Sequence, residues 1–223
     1  MTRHAALPAP SLPQAELRRR GILSAALRVI AEGGIDAVTH RRVAAEADVP
    51  LGSTTYYFES RDELVRAAFG QYATEVFALV AAIAREKPLR KRDDVVEFLV
   101  EVARREFSDP RLLRLEYELI LQASRDPLLA REFDAYEHGL ASRLAEALEA
   151  LAAPQAFEAA RTLIALVRGF ELEGLVRPGL DVDLLRRRLR AVIAALAPAD
   201  SGARRRTERS PRVRRAAARR RKP

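Results

Sequence analysis

Residues 52–64 read GSTTYYFESRDEL. Four small residues, Gly52 to Thr55, precede Tyr56, Tyr57 and Phe58, and Ser60 to Glu63 has the S-x-x-E spacing of a capping box, so a new helix is predicted immediately after the aromatics. The segment offers hydroxyls, methyls and phenols and, at Gly52, close approach of the backbone. Those groups suit phosphate oxygens, base edges and thymine methyls. They suit equally a pair of short helices packed in a core, and the flanking sequence decides between the two.

Upstream, Leu17, Ile22, Ala25, Ala26, Val29 and Ile30 mark the buried side of a first helix over about 14–32, stopped by Gly33-Gly34. Thr39 is a good N-cap for a short second helix with Val43, Ala44 and Ala47 on one face. Asp48 suits a left-handed turn, and a third helix runs from about Pro50 to Tyr57. Two short helices joined by a tight turn, with alanines that allow close packing, have the pattern of a helix-turn-helix, whose second helix lies in the DNA major groove.

The ordered runs GIDAVTHRRVAA (34–45) and ADVPLGSTTYYFESRDEL (47–64) carry a longer pattern: T-x-R-x-[IV]-A, then A-G-V-S-x-G-x-[LI]-Y-x-[YH]-F-x-S-K-[ED]-x-L. Residues 16–68 thereby resemble the N-terminal domain of the TetR family of bacterial transcriptional regulators. The resemblance implies a DNA surface made of Thr39, His40 and Arg41 at the start of the second helix, Leu51, Gly52, Ser53, Thr55, Tyr56 and Tyr57 on the reading helix, and Arg61 beside the next helix start. It places Tyr56 outward and Phe58 in the core, with Tyr57 between them. There are departures from the family pattern. Asp48 stands for the turn glycine, Pro50 for the capping serine, Thr54 for Leu or Ile, and Thr55 for a phosphate-contacting tyrosine.

From Ser60 onward the spacing predicts long helices, the first broken by Pro88, then segments over about 93–107, 111–124, 128–152, 155–176 and 181–197. The fold class is therefore all-α, with an N-terminal arm (1–13), a helix-turn-helix domain (14–62), a larger helical domain (63–199) and an Arg-rich tail (200–223). In TetR-like regulators the larger domain binds a small-molecule effector and dimerises, which implies self-association and a palindromic double-stranded operator. Polar or aromatic groups on apolar faces are the pocket candidates. Glu116 leads because Leu112, Leu113, Leu119 and Ile120 surround it, and Tyr72, Tyr117, Tyr136, His138 and Phe170 follow. The segment 155–176 is apolar on two faces, one with Leu163, Leu166 and Phe170 and the other with Val167. One face is expected to meet a second chain, together with Leu140 and Leu144 of the preceding helix.

Composition excludes several alternatives. There is no cysteine and only three histidines, so cysteine nucleophiles and histidine-rich metal sites are out, and Asp134 with His138 makes only half a metal site. No cofactor and no enzymatic activity are expected. The N-terminal residues lack a signal-peptide run and no segment reads as a membrane span, so a cytoplasmic, nucleoid-associated protein is expected. The formal charge of +8 resides in the tail: residues 201–223 hold ten arginines and Lys222 against Glu208. A second reading follows from that tail, a basic architectural protein that coats DNA through phosphate contacts.

Overall fold

The computed structural model describes residues 13–107, 109–177 and 181–196, and the described residues form nine α-helices with no strand. They are α1 (Gln14–Gly33), α2 (His40–Glu46), α3 (Leu51–Tyr57), α4 (Arg61–Glu86), α5 (Arg92–Phe107), α6 (Pro110–Ala123), α7 (Pro127–Ala150), α8 (Ala156–Val176) and α9 (Val182–Leu196). The arm up to residue 12 and the whole Arg-rich tail lie outside the described residues.

Local chemistry accounts for the boundaries. Gly34 at φ 75° ends α1 in a conformation that penalises a Cβ, and a 3₁₀ turn, Ile35–Ala37, leads to α2. Thr39 caps α2 by accepting from the Arg42 N–H at 3.1 Å, and Asp48 takes the left-handed turn at φ 51°. Ser60 accepts from the Glu63 N–H, while Glu63 reaches back to the Glu59 N–H at 2.7 Å, one residue beyond the usual capping-box donor. Asp109 and Asp126 cap α6 and α7, each followed by proline in the first turn.

Two apolar cores result. The first gathers α1 to α4 with Leu115, Leu119, Leu129 and Tyr136 of α6 and α7; the second joins the end of α4 to α5, α7, α8 and α9. The helix-turn-helix module thus shares its core with α6 and α7 and is not sealed off at residue 62. α4 is long and apolar enough to cross a bilayer, but its buried residues Leu64, Phe69, Val76 and Ile83 are packed in these cores. Leu17 departs from its expected place: it is exposed at the outer end of α1.

α8 requires a larger correction. It is packed against α5, α6, α7 and α9, so both of its apolar faces are covered within one chain. Leu163 is 0% exposed, Val167 and Phe170 are buried, and Leu166 is half-buried against the second core. On α7, Leu144 is buried and both Leu140 and Leu144 face the interior. The expectation that these residues lie open for a second chain fails. Helical periodicity reports that a face is buried, not which chain buries it. The outward stripe of α8 is instead Ala165, Gly169, Leu172 and Val176.

Candidate functional site

α2 and α3 present one surface. α3 turns a single residue fully inward, Thr54, whose hydroxyl donates to the Leu51 carbonyl at 2.9 Å and lies 3.4 Å from the His40 carbonyl. That inward threonine sets the rotation of α3. Leu51, Gly52, Thr55 and Tyr56 then face solvent, Tyr56 being 82% exposed, with Ser53 half-buried beside them. Phe58 is 1% exposed and lies under the Arg19 guanidinium. Tyr57 is half-buried and meets the Tyr56 ring edge-on at 5.1 Å. Thr39 and Arg41 are exposed at the start of α2, whereas His40 is half-buried with its Nδ1 enclosed and without a hydrogen-bond partner. An exposed side of α2–α3 carrying a phenol, hydroxyls, a guanidinium and an apolar Leu51 has the chemistry to meet phosphates and base edges.

Arg61 turns away from that surface. Its guanidinium donates to the carbonyls of Ile35 (2.7 Å) and Val38 (3.1 Å), and it lies beside Asp36 and Asp62. It ties α4 to the turn before α2, which makes it a positioning residue. Two further ties reach this module from the larger domain: the Glu118 carboxylate on α6 accepts from the Ile35 N–H at 3.3 Å, and Arg66 pairs with Asp126 at 3.0 Å.

The larger domain encloses a cavity of about 330 Å³ walled by α4, α5, α6, α7 and α8. Most of its lining is apolar, including Val76, Val80, Phe98, Leu99, Ile164 and Val167. One side is ionic. Glu106, Glu116 and Glu171 converge there, with carboxylate oxygens within 4.8 Å of one another. Arg168 bonds Glu116 at 2.9 Å and Glu137 at 2.6 Å, and although burial opposes its charge, those two carboxylates hold it above the ordinary arginine range. Burial, then the neighbouring Glu171 charge, pushes the Glu106 carboxyl well above the usual carboxylate range. Burial also raises Glu171, partly opposed by its hydrogen bond with Glu106. Three acids against one guanidinium in a low-dielectric wall leave this side short of positive charge.

Of the sequence candidates, Glu116 and Tyr136 line the cavity, and Tyr72 lines a smaller adjoining space of about 130 Å³ that shares Glu106 and Glu116. Burial and the adjacent Glu116 carboxylate raise the Tyr72 phenol well above its ordinary range. The other three candidates fall outside the linings of the cavity and the adjoining space. Tyr117 donates to the Arg168 carbonyl at 2.6 Å, Phe170 is buried in the second core, and His138 is exposed, its ring 5.0 Å from Phe157. Glu106 and Glu171 were not among the expected pocket residues. The signal that singled out Glu116 applies to Glu171 as well, since it follows Val167 and Leu163 by four and eight residues and so falls on a buried stripe.

A helix-turn-helix module resting on a larger helical domain with an internal cavity is the architecture of a ligand-responsive DNA-binding regulator. The model for bacterial regulatory proteins of the tetR family matches residues 22–68, and that for the tetracyclin repressor-like C-terminal domain matches residues 90–199. The structure of a TetR family member from Streptomyces coelicolor is 34% identical, aligns over 81% of this chain and 98% of its own, and superposes with a TM-score of 0.64. The multidrug binding protein EbrR, solved with ethidium, is 34% identical over 79% of this chain and 98% of its own, with a TM-score of 0.63. The HTH-type transcriptional regulator BetI of Burkholderia lata is 29% identical over 76% of this chain and 88% of its length. The chain belongs to the TetR family of bacterial transcriptional regulators; it is a regulator and not an enzyme.

Proposed function

We propose that this regulator represses transcription as a homodimer on a palindromic operator and that a small molecule in the α4–α8 cavity releases it. The observation that carries the reading is α6 itself. Two residues apart, Glu116 stands in the cavity wall and Glu118 holds the turn before α2. A ligand that binds better to a conformation with α6 displaced shifts the population away from the one that fits DNA. Two reading helices must stand about 34–36 Å apart to enter successive major-groove turns, so a small displacement is enough to lower affinity. Tyr56, Arg41, Thr39, Leu51, Gly52, Ser53 and Thr55 form the contact surface, with Tyr57 and His40 at its edge and Arg61 holding α4 in place. The second chain docks on the outward stripe of α8, where Leu172 and Val176 are exposed beside Ala165 and Gly169. EbrR with ethidium supports a small-molecule occupant for the cavity, and the protein is assigned to the cytoplasm, where its operator lies.

Footprinting with the purified full-length protein tests the reading: one protected palindrome is expected, and protection along the whole probe would favour the architectural alternative. At fixed salt, Tyr56→Ala and Arg41→Ala should each cost about 1–3 kcal/mol of operator binding with unchanged thermal stability. Full affinity in both variants would remove α3 from the interface.

A further inference from the structure

We propose that the Glu106–Glu171 pair is a proton-for-cation exchange site: it holds one proton when the cavity is empty and gives it up to a small organic cation with an apolar body. This rests on the reading of the cavity as the effector site and names the class of effector. Glu171 is 2% exposed, lines the cavity and has one carboxylate oxygen, Oε1, enclosed with no hydrogen-bond partner. Its carboxylate lies within 4.8 Å of that of Glu106, a separation at which two carboxyl groups out of water are stable only with a proton or a cation between them. Glu106 is half-buried because it faces the cavity, so a ligand reaches it from that side.

The surrounding charges decide what can complete the pair. α6 contributes Glu116 and the Tyr117 phenol, α4 the Tyr72 phenol and α7 the Tyr136 phenol, none of them a cation; α7 also sets Glu146 and Arg143 in the cavity lining, the Arg143 guanidinium lying over the Phe77 ring at 4.6 Å. Arg168 of α8 is bound to Glu116 and Glu137. Arg105, beside Glu106 in α5, pairs with Glu86 and Glu101, and Arg188 of α9 lies over Phe170 and pairs with Glu173. Among the groups that act on Glu106 and Glu171, Arg168 is the one cation, and it is already committed to Glu116 and Glu137, which leaves a fully ionised Glu106–Glu171 pair without its own counter-charge. Two adjacent carboxylates in a low-dielectric wall cannot both ionise unless a cation joins them. The proton therefore leaves to solvent as the cation enters, and the net charge of the wall is unchanged. Mg²⁺ or Ca²⁺ fits poorly: each calls for six or more oxygen ligands, and apart from the acid cluster, Arg143, Glu146 and Arg168 the lining is apolar side chains and rings. A hydrophobic cation satisfies both sides of the cavity at once.

Ethidium, permanently charged, and phenanthridine, its ring system without the charge at neutral pH, are the probes for calorimetry on the full-length, DNA-free protein. Ethidium binding should release about one proton, read from buffers of different ionisation enthalpy, and its affinity should rise about tenfold per pH unit within the range of about pH 5–9 before levelling off. The double variant E106Q/E171Q should lose the proton release and lose at least about tenfold of ethidium affinity at the plateau, while phenanthridine affinity, which also reports an intact cavity, stays the same. Ethidium binding without proton release, ethidium affinity independent of pH, or equal cation preference in the variant would each overturn the exchange. So would Mg²⁺ or Mn²⁺ displacing ethidium from the wild type, which would make the cluster a metal site. Cavity filling separates the two levels of the argument. If Val167→Trp and, at the half-buried wall, Ala84→Trp leave both probes bound as before, the cavity is not the effector site, and the exchange falls with it. If they block the probes but no proton is released, only the exchange is wrong.

Discussion

The α2–α3 surface and the ionic side of the cavity handle polar groups in opposite ways. On α3 the polar side chains are exposed or half-buried, and the one fully buried, Thr54, is satisfied by carbonyls of its own module. In the cavity wall Glu116 and Glu171 are buried, Glu106 faces the enclosed space, and the Arg168 guanidinium beside them is already shared between two acids. Apart from the enclosed Nδ1 of His40, the first region is complete without a partner and can be rigid before it meets DNA. The second is complete only with a proton or a cation, so its conformation and its charge are linked. A regulator needs both kinds of site: one pre-formed, one responsive.

The strongest way to break this comparison is to remove the shared guanidinium. Arg168→Ala leaves the buried Glu116 and the half-buried Glu137 without their partner, and a loss of about 3–5 kcal/mol in urea-unfolding stability is expected. A loss below about 1 kcal/mol would mean that the two carboxyl groups need no counter-charge from α8.

A pH series sharpens the same point. The Glu106 and Glu171 carboxyls are raised by burial, so they contribute stability that is fully present below the ordinary carboxylate range and is lost as pH rises through their raised values. In that interval the folded chain holds a proton that the unfolded chain has released, and unfolding free energy should fall by about 1.4 kcal/mol per pH unit for each such proton. E106Q/E171Q should flatten the fall. Glu101, on the same helix, has the opposite sign: Arg104 and Arg105 hold it down to about 2, so its contribution is lost only in strong acid.

How much of this was legible in sequence follows from the same contrast. Helix order and ends were readable because caps, glycines and prolines act within a few residues: Thr39, Ser60, Gly34 and Asp48 all do what their chemistry dictates locally. The rotation of α3 was legible through the family resemblance, which put Tyr56 outward and Phe58 inward, the sides on which their exposures place them. The pocket was not. Glu106 lies in the run ARREF, where an acid among arginines reads as surface, and only the meeting of α5, α6 and α8 turns it into a cavity wall. The dimer face failed for the same reason, because four neighbours of α8 cover what periodicity alone marks as apolar.

Thr54→Val tests whether the reading surface is as self-sufficient as the geometry implies. The volume is kept and the hydroxyl is lost, so about 1 kcal/mol of stability should go, with a smaller loss of operator affinity. An operator defect much larger than the stability defect would show that the hydroxyl orients α3 beyond holding it folded.

The smallest expected effect concerns the link between the two regions. Glu118 of α6 accepts from the Ile35 N–H at 3.3 Å, and Gly34 lies against the same carboxylate. Glu118→Gln keeps an acceptor of the same shape but removes its charge, so this hydrogen bond should weaken by about 0.5–1 kcal/mol. If α6 carries the signal, that weakening belongs mainly to the conformation that fits DNA, and linkage requires the ligand and operator affinities to shift against one another by the same factor. The measurement is operator affinity with and without saturating ethidium in the wild type and in Glu118→Gln. A twofold to fivefold smaller ratio in the variant is expected. An unchanged ratio with lower affinity in both states would make Glu118 a structural tie only and move the coupling to the core that α6 and α7 share with the module or to the Arg66–Asp126 pair between α4 and the start of α7.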